Sequence, residues 1–205
     1  MLQKSLQLAA VGLLGATAAW GQQPPKPANP YYRCYVGSSA FVLGNLAPNP
    51  PAFYQLNVGY RITPQDVVSL EAITWTYDAP LGIPYGSSHG DEKERYPGSI
   101  REYGVGIAYQ RFLWKGFYTS LRALPLRRVY RDANNETIGK GFQLFSTFRL
   151  GYHVPLFKNR FFIEPSLAAT CWPISTNVPS GFASKDQQWK NYFLFEPGLH
   201  LGVKF

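Results

Sequence analysis

The chain has 205 residues, 16% of them charged and 16% aromatic, with 19 glycines, 17 prolines and a formal net charge of +8. With no helical heptad and no long Ala/Leu/Glu/Lys stretch, this composition predicts one all-β domain rich in turns. The positive balance comes without a basic helix, a zinc spacing or an RNA-binding motif, so nucleic acid is set aside as a partner.

Residues 1–21 read as a secretory signal peptide, with Lys4 near the start, the apolar run Leu8-Ala9-Ala10-Val11-Gly12-Leu13-Leu14, and small residues from Gly15 to Ala19. The apolar core is well short of the ~20 residues a spanning helix needs. Cleavage after Ala18 or after Gly21 fits the small-x-small rule. Residues 22–32 form a Pro-rich, polar lead-in, which leaves 33–205 as the folded unit. Export to an oxidising compartment allows Cys34 and Cys171 to pair. The strand layout puts them near opposite strand ends, so two unpaired thiols are expected.

Eight alternating segments follow, at 33–46, 53–63, 67–79, 101–113, 117–131, 141–156, 161–174 and 192–205. Short connections, Thr63-Pro64-Gln65-Asp66, Leu113-Trp114-Lys115-Gly116 and Phe157-Lys158-Asn159-Arg160, alternate with longer ones at 47–52, 80–100, 132–140 and 175–191. Short turns at one end and long loops at the other are the periplasmic and extracellular ends of an outer-membrane barrel. No apolar run after the leader reaches helix-spanning length, as such a barrel requires.

The two faces differ in character. In 53–63, Tyr54, Leu56, Val58, Tyr60 and Ile62 oppose Gln55, Asn57, Gly59 and Arg61; in 101–113, Tyr103, Val105, Ile107 and Tyr109 oppose Glu102, Gly104, Gly106, Ala108 and Gln110. In 141–156, Phe142, Leu144, Phe148, Leu150 and Tyr152 oppose Gln143, Thr147, Arg149, Gly151 and His153. A period of two with one apolar side places lipid outside and polar groups inside. Segment 33–46 has little pattern at Gly37-Ser38-Ser39-Ala40, and Glu71 is placed inside because a charge facing mid-bilayer lipid costs kilocalories. Trp75, Tyr77, Tyr130, Trp172 and Tyr192 are assigned to an outer aromatic belt, and Phe112, Trp114, Phe117 and Phe157 to an inner one.

The closing segment is the most informative. Phe193, Phe195, Pro197, Leu199, Leu201, Val203 and Phe205 form one face, and Leu194, Glu196, Gly198, His200, Gly202 and Lys204 the other. Its outward positions are expected to reject Arg, whereas Gly202 is expected to tolerate a polar change. Phe162-Ile163-Glu164-Pro165-Ser166-Leu167 is echoed by Leu194-Phe195-Glu196-Pro197-Gly198-Leu199. A proline after an inward Glu in each predicts a bulge beside an interior carboxylate.

On these residues the chain resembles the small eight-stranded outer-membrane proteins of the OmpA-barrel and OmpX kind. Asn191-Tyr192-Phe193-Leu194-Phe195-Glu196-Pro197-Gly198-Leu199 is similar to outer-membrane barrels that carry no assigned activity. The resemblance implies an all-β, eight-stranded, antiparallel up-and-down transmembrane β-barrel in the cell outer membrane, monomeric and without cofactor or metal. It also implies that Phe205 is the assembly signal read by the barrel-insertion machinery.

A barrel of eight strands is filled by its own side chains. The inward set is Arg61, Glu71, Arg122, Arg149, His153, Glu164, Glu196, His200 and Lys204, read as a salt-bridged plug with His153 opposite Glu164. Arg127, Arg128, Arg131 and Lys140 are read as rim cations for lipopolysaccharide phosphate. Ser87-Ser88-His89-Gly90-Asp91-Glu92 has residue types found in barrel enzymes that remodel lipid A, although a solvated loop accounts for it as well. The expected role is non-catalytic, structural or surface-interacting. The alternatives are a lipid A-modifying hydrolase or acyltransferase, and a secreted lipocalin-like barrel whose apolar side would face inward.

Overall fold

The computed structural model describes residues 32–48, 50–79, 95–187 and 190–205. Over these residues the chain forms the strands β1 Cys34–Ser39, β2 Tyr54–Arg61, β3 Asp66–Tyr77, β4 Gly98–Trp114, β5 Phe117–Asp132, β6 Thr137–Tyr152, β7 Val154–Leu156, β8 Phe161–Thr176 and β9 Tyr192–Lys204. A 3-10 helix, Ala40–Leu46, follows β1, and a short helix α1, Ser180–Asp186, precedes β9. Every pairing is antiparallel, and β1 pairs with β9, so the sheet closes in a ring. The leader and lead-in, 1–31, lie outside the described residues, as does the loop motif Ser87-Ser88-His89-Gly90-Asp91-Glu92.

Alternation predicts eight strands, whereas nine are observed among the described residues. The difference lies in 141–156, which is divided at His153 into β6 and β7, both paired with β8. The His153 N–H bonds the Gly116 carbonyl at 2.8 Å, and Pro155 has no N–H for the ladder. The first strand is also shorter than expected. It stops at Ser39, whose hydroxyl accepts from the Phe41 N–H at 3.2 Å and so starts the 3-10 helix. The patternless Gly37-Ser38-Ser39-Ala40 stretch marks the end of the strand, its first three residues still pairing with β9.

The connections follow local chemistry. Lys115 and Gly116, at φ 43° and 91°, make the two-residue β4–β5 turn, where left-handed residues match the strand twist. The loop at 132–140 is tighter than predicted, because Asp132 Oδ1 accepts from the N–H groups of Asn134 and Glu136, both at 2.9 Å. The 175–191 loop contains α1, whose Phe182 packs with Tyr96, Ile100 and Tyr130 in a buried apolar cluster. Cys34 and Cys171 are free thiols. Cys34 lies at the turn end, beside Phe205, and Cys171 at the loop end, opposite Tyr192.

The faces of β2, β4 and β6 are as the alternation assigns them. Leu56, Val105, Ile107 and Leu150 are exposed, while Asn57, Glu102 and Arg149 are buried. In β9 the alternation slips. Ala168 pairs with Glu196 but Thr170 with Phe193, so β9 carries an extra residue, and Phe195 takes φ 63°. The bulge expected beside Glu196 is therefore present, while at Glu164-Pro165 the register runs on unbroken. Its consequence corrects the reading of β9: Phe193 lines the interior, and Leu194 is exposed.

Candidate functional site

All nine residues of the expected interior set lie on the enclosed face, in two groups along the strands. At the turn end, Glu164 Oε1 meets His153 Nδ1 at 2.7 Å, and Lys204 Nζ lies 2.8 Å from His153 Nε2 and 2.6 Å from Asn159 Oδ1. Gln110 donates to Glu164 at 3.2 Å, and the Arg61 guanidinium stands 4.7 Å above the Phe112 ring. Midway, Arg122 pairs with Glu71 at 3.0 Å and donates to Thr147 at 3.1 Å. Arg149 pairs with Glu196 at 3.3 Å and donates to Ser166 at 2.9 Å, and Thr170 donates to Glu196 at 2.6 Å. His200 pairs in register with Glu164 along β8–β9 and lines the interior.

A third group went unrecognised in the sequence. Arg128 Nε bonds Glu102 Oε1 at 2.6 Å, both side chains being nearly sealed from solvent. The Tyr77 hydroxyl donates to Glu102 at 2.7 Å and receives Arg128 Nη2 at 2.8 Å. Asp186 of α1 joins from above, 3.8 Å from Arg128, and accepts from the Tyr96 hydroxyl. In the loop, burial of the Tyr96 ring and the Asp186 carboxylate beside it push the Tyr96 phenol well above its ordinary range.

This group corrects one rim assignment. Arg128 is an interior residue and is not available to phosphate. Arg127 and Lys140 do point outward, and Arg131 reaches Asn135 Oδ1 at 2.9 Å. Arg101 completes the outward cluster, since Arg101 and Lys140 both pair with Val129, two residues beyond Arg127.

The outer aromatic belt is corrected as well. Trp75 and Trp172 line the interior, Tyr130 is fully buried and Tyr77 bonds Glu102, leaving Tyr192 exposed. At the turn end Trp114, Phe117 and Phe157 are exposed as expected, but Phe112 packs inward against His153. Inward glycines make room for rings lying across the neighbouring strand. A Cβ on Gly202 would stand 2.5 Å from the Phe162 ring and 2.6 Å from the Val36 carbonyl oxygen, so the expected tolerance at Gly202 is overturned.

No family model matches this chain, and neither a curated protein nor a solved structure is significantly similar to it. Its chemistry rests on the groups just described. His153 has Glu164 on one ring nitrogen and Lys204 on the other, so both are engaged within the protein. Among the described residues no three His, Cys, Asp or Glu side chains gather as metal ligands. Arg122, Arg128 and Arg149 are each matched by a carboxylate.

Proposed function

We propose that the protein is an integral outer-membrane β-barrel with a side-chain-filled interior, non-catalytic, holding its outward face in lipid and its loop-end rim against lipopolysaccharide. The observation that carries this reading is the inverted distribution of polarity on a closed sheet. Ile107 is 64% exposed, Val105 59% and Leu150 42%, while Arg149, Glu71 and Glu164 retain 6%, 8% and 8%. A water-soluble fold does not leave so continuous an apolar surface in water while burying its charges. A lipid-embedded sheet gains from that arrangement, provided the ring leaves no open edge. A lipocalin-like barrel would need the opposite distribution.

Nine strands fit an eight-staved barrel when β6 and β7 are counted as one stave crossed at His153. Lipopolysaccharide contact is supported by Arg101, Arg127 and Lys140 on the outward face at the loop end, since guanidinium groups bind phosphate oxygens two at a time. The test is fractionation of cells expressing the full chain. The protein is expected in the outer membrane as a band whose mobility changes on boiling, and a soluble periplasmic product with unchanged mobility overturns the reading. Binding to vesicles containing lipopolysaccharide, but not to phosphatidylcholine alone, should weaken when Arg101, Arg127 and Lys140 are replaced together by Gln.

A further inference from the structure

In the half of the ring nearer the loops, the enclosed side holds a cavity of about 160 Å³. Its walls are largely the rings of Phe41, Phe53, Trp75, Phe145, Trp172 and Phe193. Beyond the rings the lining turns polar, yet its charges are already matched: toward mid-molecule Arg122 by Glu71 and Arg149 by Glu196, and toward the loops Glu102 by Arg128. A wall without a spare charge offers little to an ion, and aromatic walls favour an apolar occupant. By volume the space suits a hydrocarbon segment of about six carbons, since a cavity of about 150 Å³ takes up benzene.

The cavity also borders a weak seam. β1 pairs with β2 only as far as Gly37 and Asn57, and with β9 only as far as Ser39 and His200. Beyond those pairs, β2 and β9 are separated by the 3-10 helix Ala40–Leu46 instead of a strand. The helix packs against β9, but its side-chain hydrogen bonds run to the other side. Asn45 donates to the Phe53 carbonyl at 2.6 Å and accepts from its N–H at 3.1 Å. Among the described residues no backbone hydrogen bond joins the helix to β9. β9 is itself bulged there at Phe195, with Pro197 close by. The surface over the seam is apolar, Leu46 being 84% and Phe195 77% exposed. Phe41 stands between outside and inside, its ring 4.9 Å from that of Phe53 and 6.1 Å from that of Trp75. At the loop end, by contrast, the cluster around Phe182 covers the ring on the β4–β5 side.

We infer that the cavity is a binding site for one lipid hydrocarbon chain, which enters sideways from the bilayer through the seam between β2 and β9, past Phe41. The site rests on the membrane reading proposed above, and the experiment separates the two. Methyl-labelled full-length protein is placed in phosphatidylcholine bilayer discs doped with lipid spin-labelled at the chain end. Outward methyls of Leu150 and Leu199 report embedding, those of Ile73, Leu124 and Leu126 report the cavity, and Val67, enclosed but distant from it, is the reference.

The expected result is loss of signal at Ile73, Leu124 and Leu126 as well as at the outward methyls, with Val67 retained. Leu126→Trp, which fills the cavity, should restore Ile73 and Leu124 and leave Leu150 unchanged. Should that variant fail to assemble, Ile73→Phe gives the same readout at Leu124. Phe41→Ala, which widens the seam, should deepen the loss. The site is overturned if the cavity methyls behave like Val67 while Leu150 is erased, or if a water-soluble paramagnetic chelate erases them in place of the chain label. Unaffected Leu150 and Leu199 would instead sink the membrane reading.

Discussion

His153 and Glu164 face each other across β6–β8 with Nδ1 and Oε1 2.7 Å apart, and Lys204 occupies the other ring nitrogen at 2.8 Å. An ammonium group only donates, so Nε2 must accept, and the ring proton sits on Nδ1 toward the carboxylate. Nitrogen shifts measured by NMR should report the Nδ1–H tautomer. Lys204→Met alone should leave the proton on Nδ1, where the Glu164 carboxylate still accepts it, whereas Lys204→Met combined with Glu164→Met should release the preference; an Nε2–H ring in the unmodified protein would show that this chain of three is wrongly assembled.

The buried Arg128–Glu102 pair makes a stability prediction. Arg128→Met leaves a carboxylate uncompensated beside Tyr77 and should cost about 3–5 kcal/mol. Combining it with Glu102→Gln should recover much of that loss in urea unfolding. Arg127→Gln, on the outward face, should leave the unfolding midpoint nearly unchanged.

Leu150 and Leu199 test the opposite face. Both are exposed and flanked by apolar residues, so on the proposed membrane reading Arg at either position should destabilise the protein in a bilayer by roughly 2–4 kcal/mol. Gly202→Ser should also be harmful, for a steric reason, because the Val36 carbonyl cannot move aside without parting β1 from β9. Tolerance of Arg at Leu199 with intact folding would reverse inside and outside.

Asp66, the first residue of β3 where the β2–β3 turn ends at the rim of the ring, accepts from Thr63 Oγ1 and from the Tyr109 hydroxyl, both at 2.5 Å, and from Arg111 at 2.9 Å. The Thr63 hydrogen bond first, then Tyr109 and Arg111, hold its carboxyl below the usual range. A depressed folded-state value contributes stability above the unfolded value of about 3.9, and that contribution fades as pH falls through the folded value. Asp66→Asn should therefore be less stable than the unmodified protein at neutral pH, with the gap closing under acid. A gap that stays constant with pH would mean that the carboxylate charge contributes nothing.

Phe205 exchanges two backbone hydrogen bonds with Cys34, both 3.0 Å, on the strand pair that closes the ring. Its removal should lower the amount of heat-modifiable protein in the outer membrane and increase periplasmic degradation. An unchanged yield would separate the closing contact from assembly.

Much of this arrangement was legible from parity alone. Glu71, Arg122 and Glu164 were placed inside, and counting by two from them reaches Trp75, Tyr77, Arg128, Tyr130 and Trp172, all interior. Assigning these to a belt or a rim set residue type above period. The inversion of Phe193 and Leu194 was not legible, because it follows from an extra residue at Phe195, whose placement depends on how β8 and β9 settle together. The break at Ser39 was half legible: the apolar face disappears there, but only the Asn45 contact with Phe53 fixes where the chain goes next. The His153–Glu164 pair was legible because a short turn leaves little freedom in register.

Pairing of β1 with β9 brings Tyr35 opposite Lys204, the two ends of the folded chain. Every other strand pair joins neighbours in sequence or, for β6 and β8, segments separated by one short turn. Hairpins can therefore form in succession as the polypeptide emerges, but the final contact has the largest sequence separation and the highest loop-closure cost. Until β9 is delivered, β1 remains an open edge capable of pairing with another chain. The slow step of maturation is thus expected at ring closure, the pairing of β1 with β9.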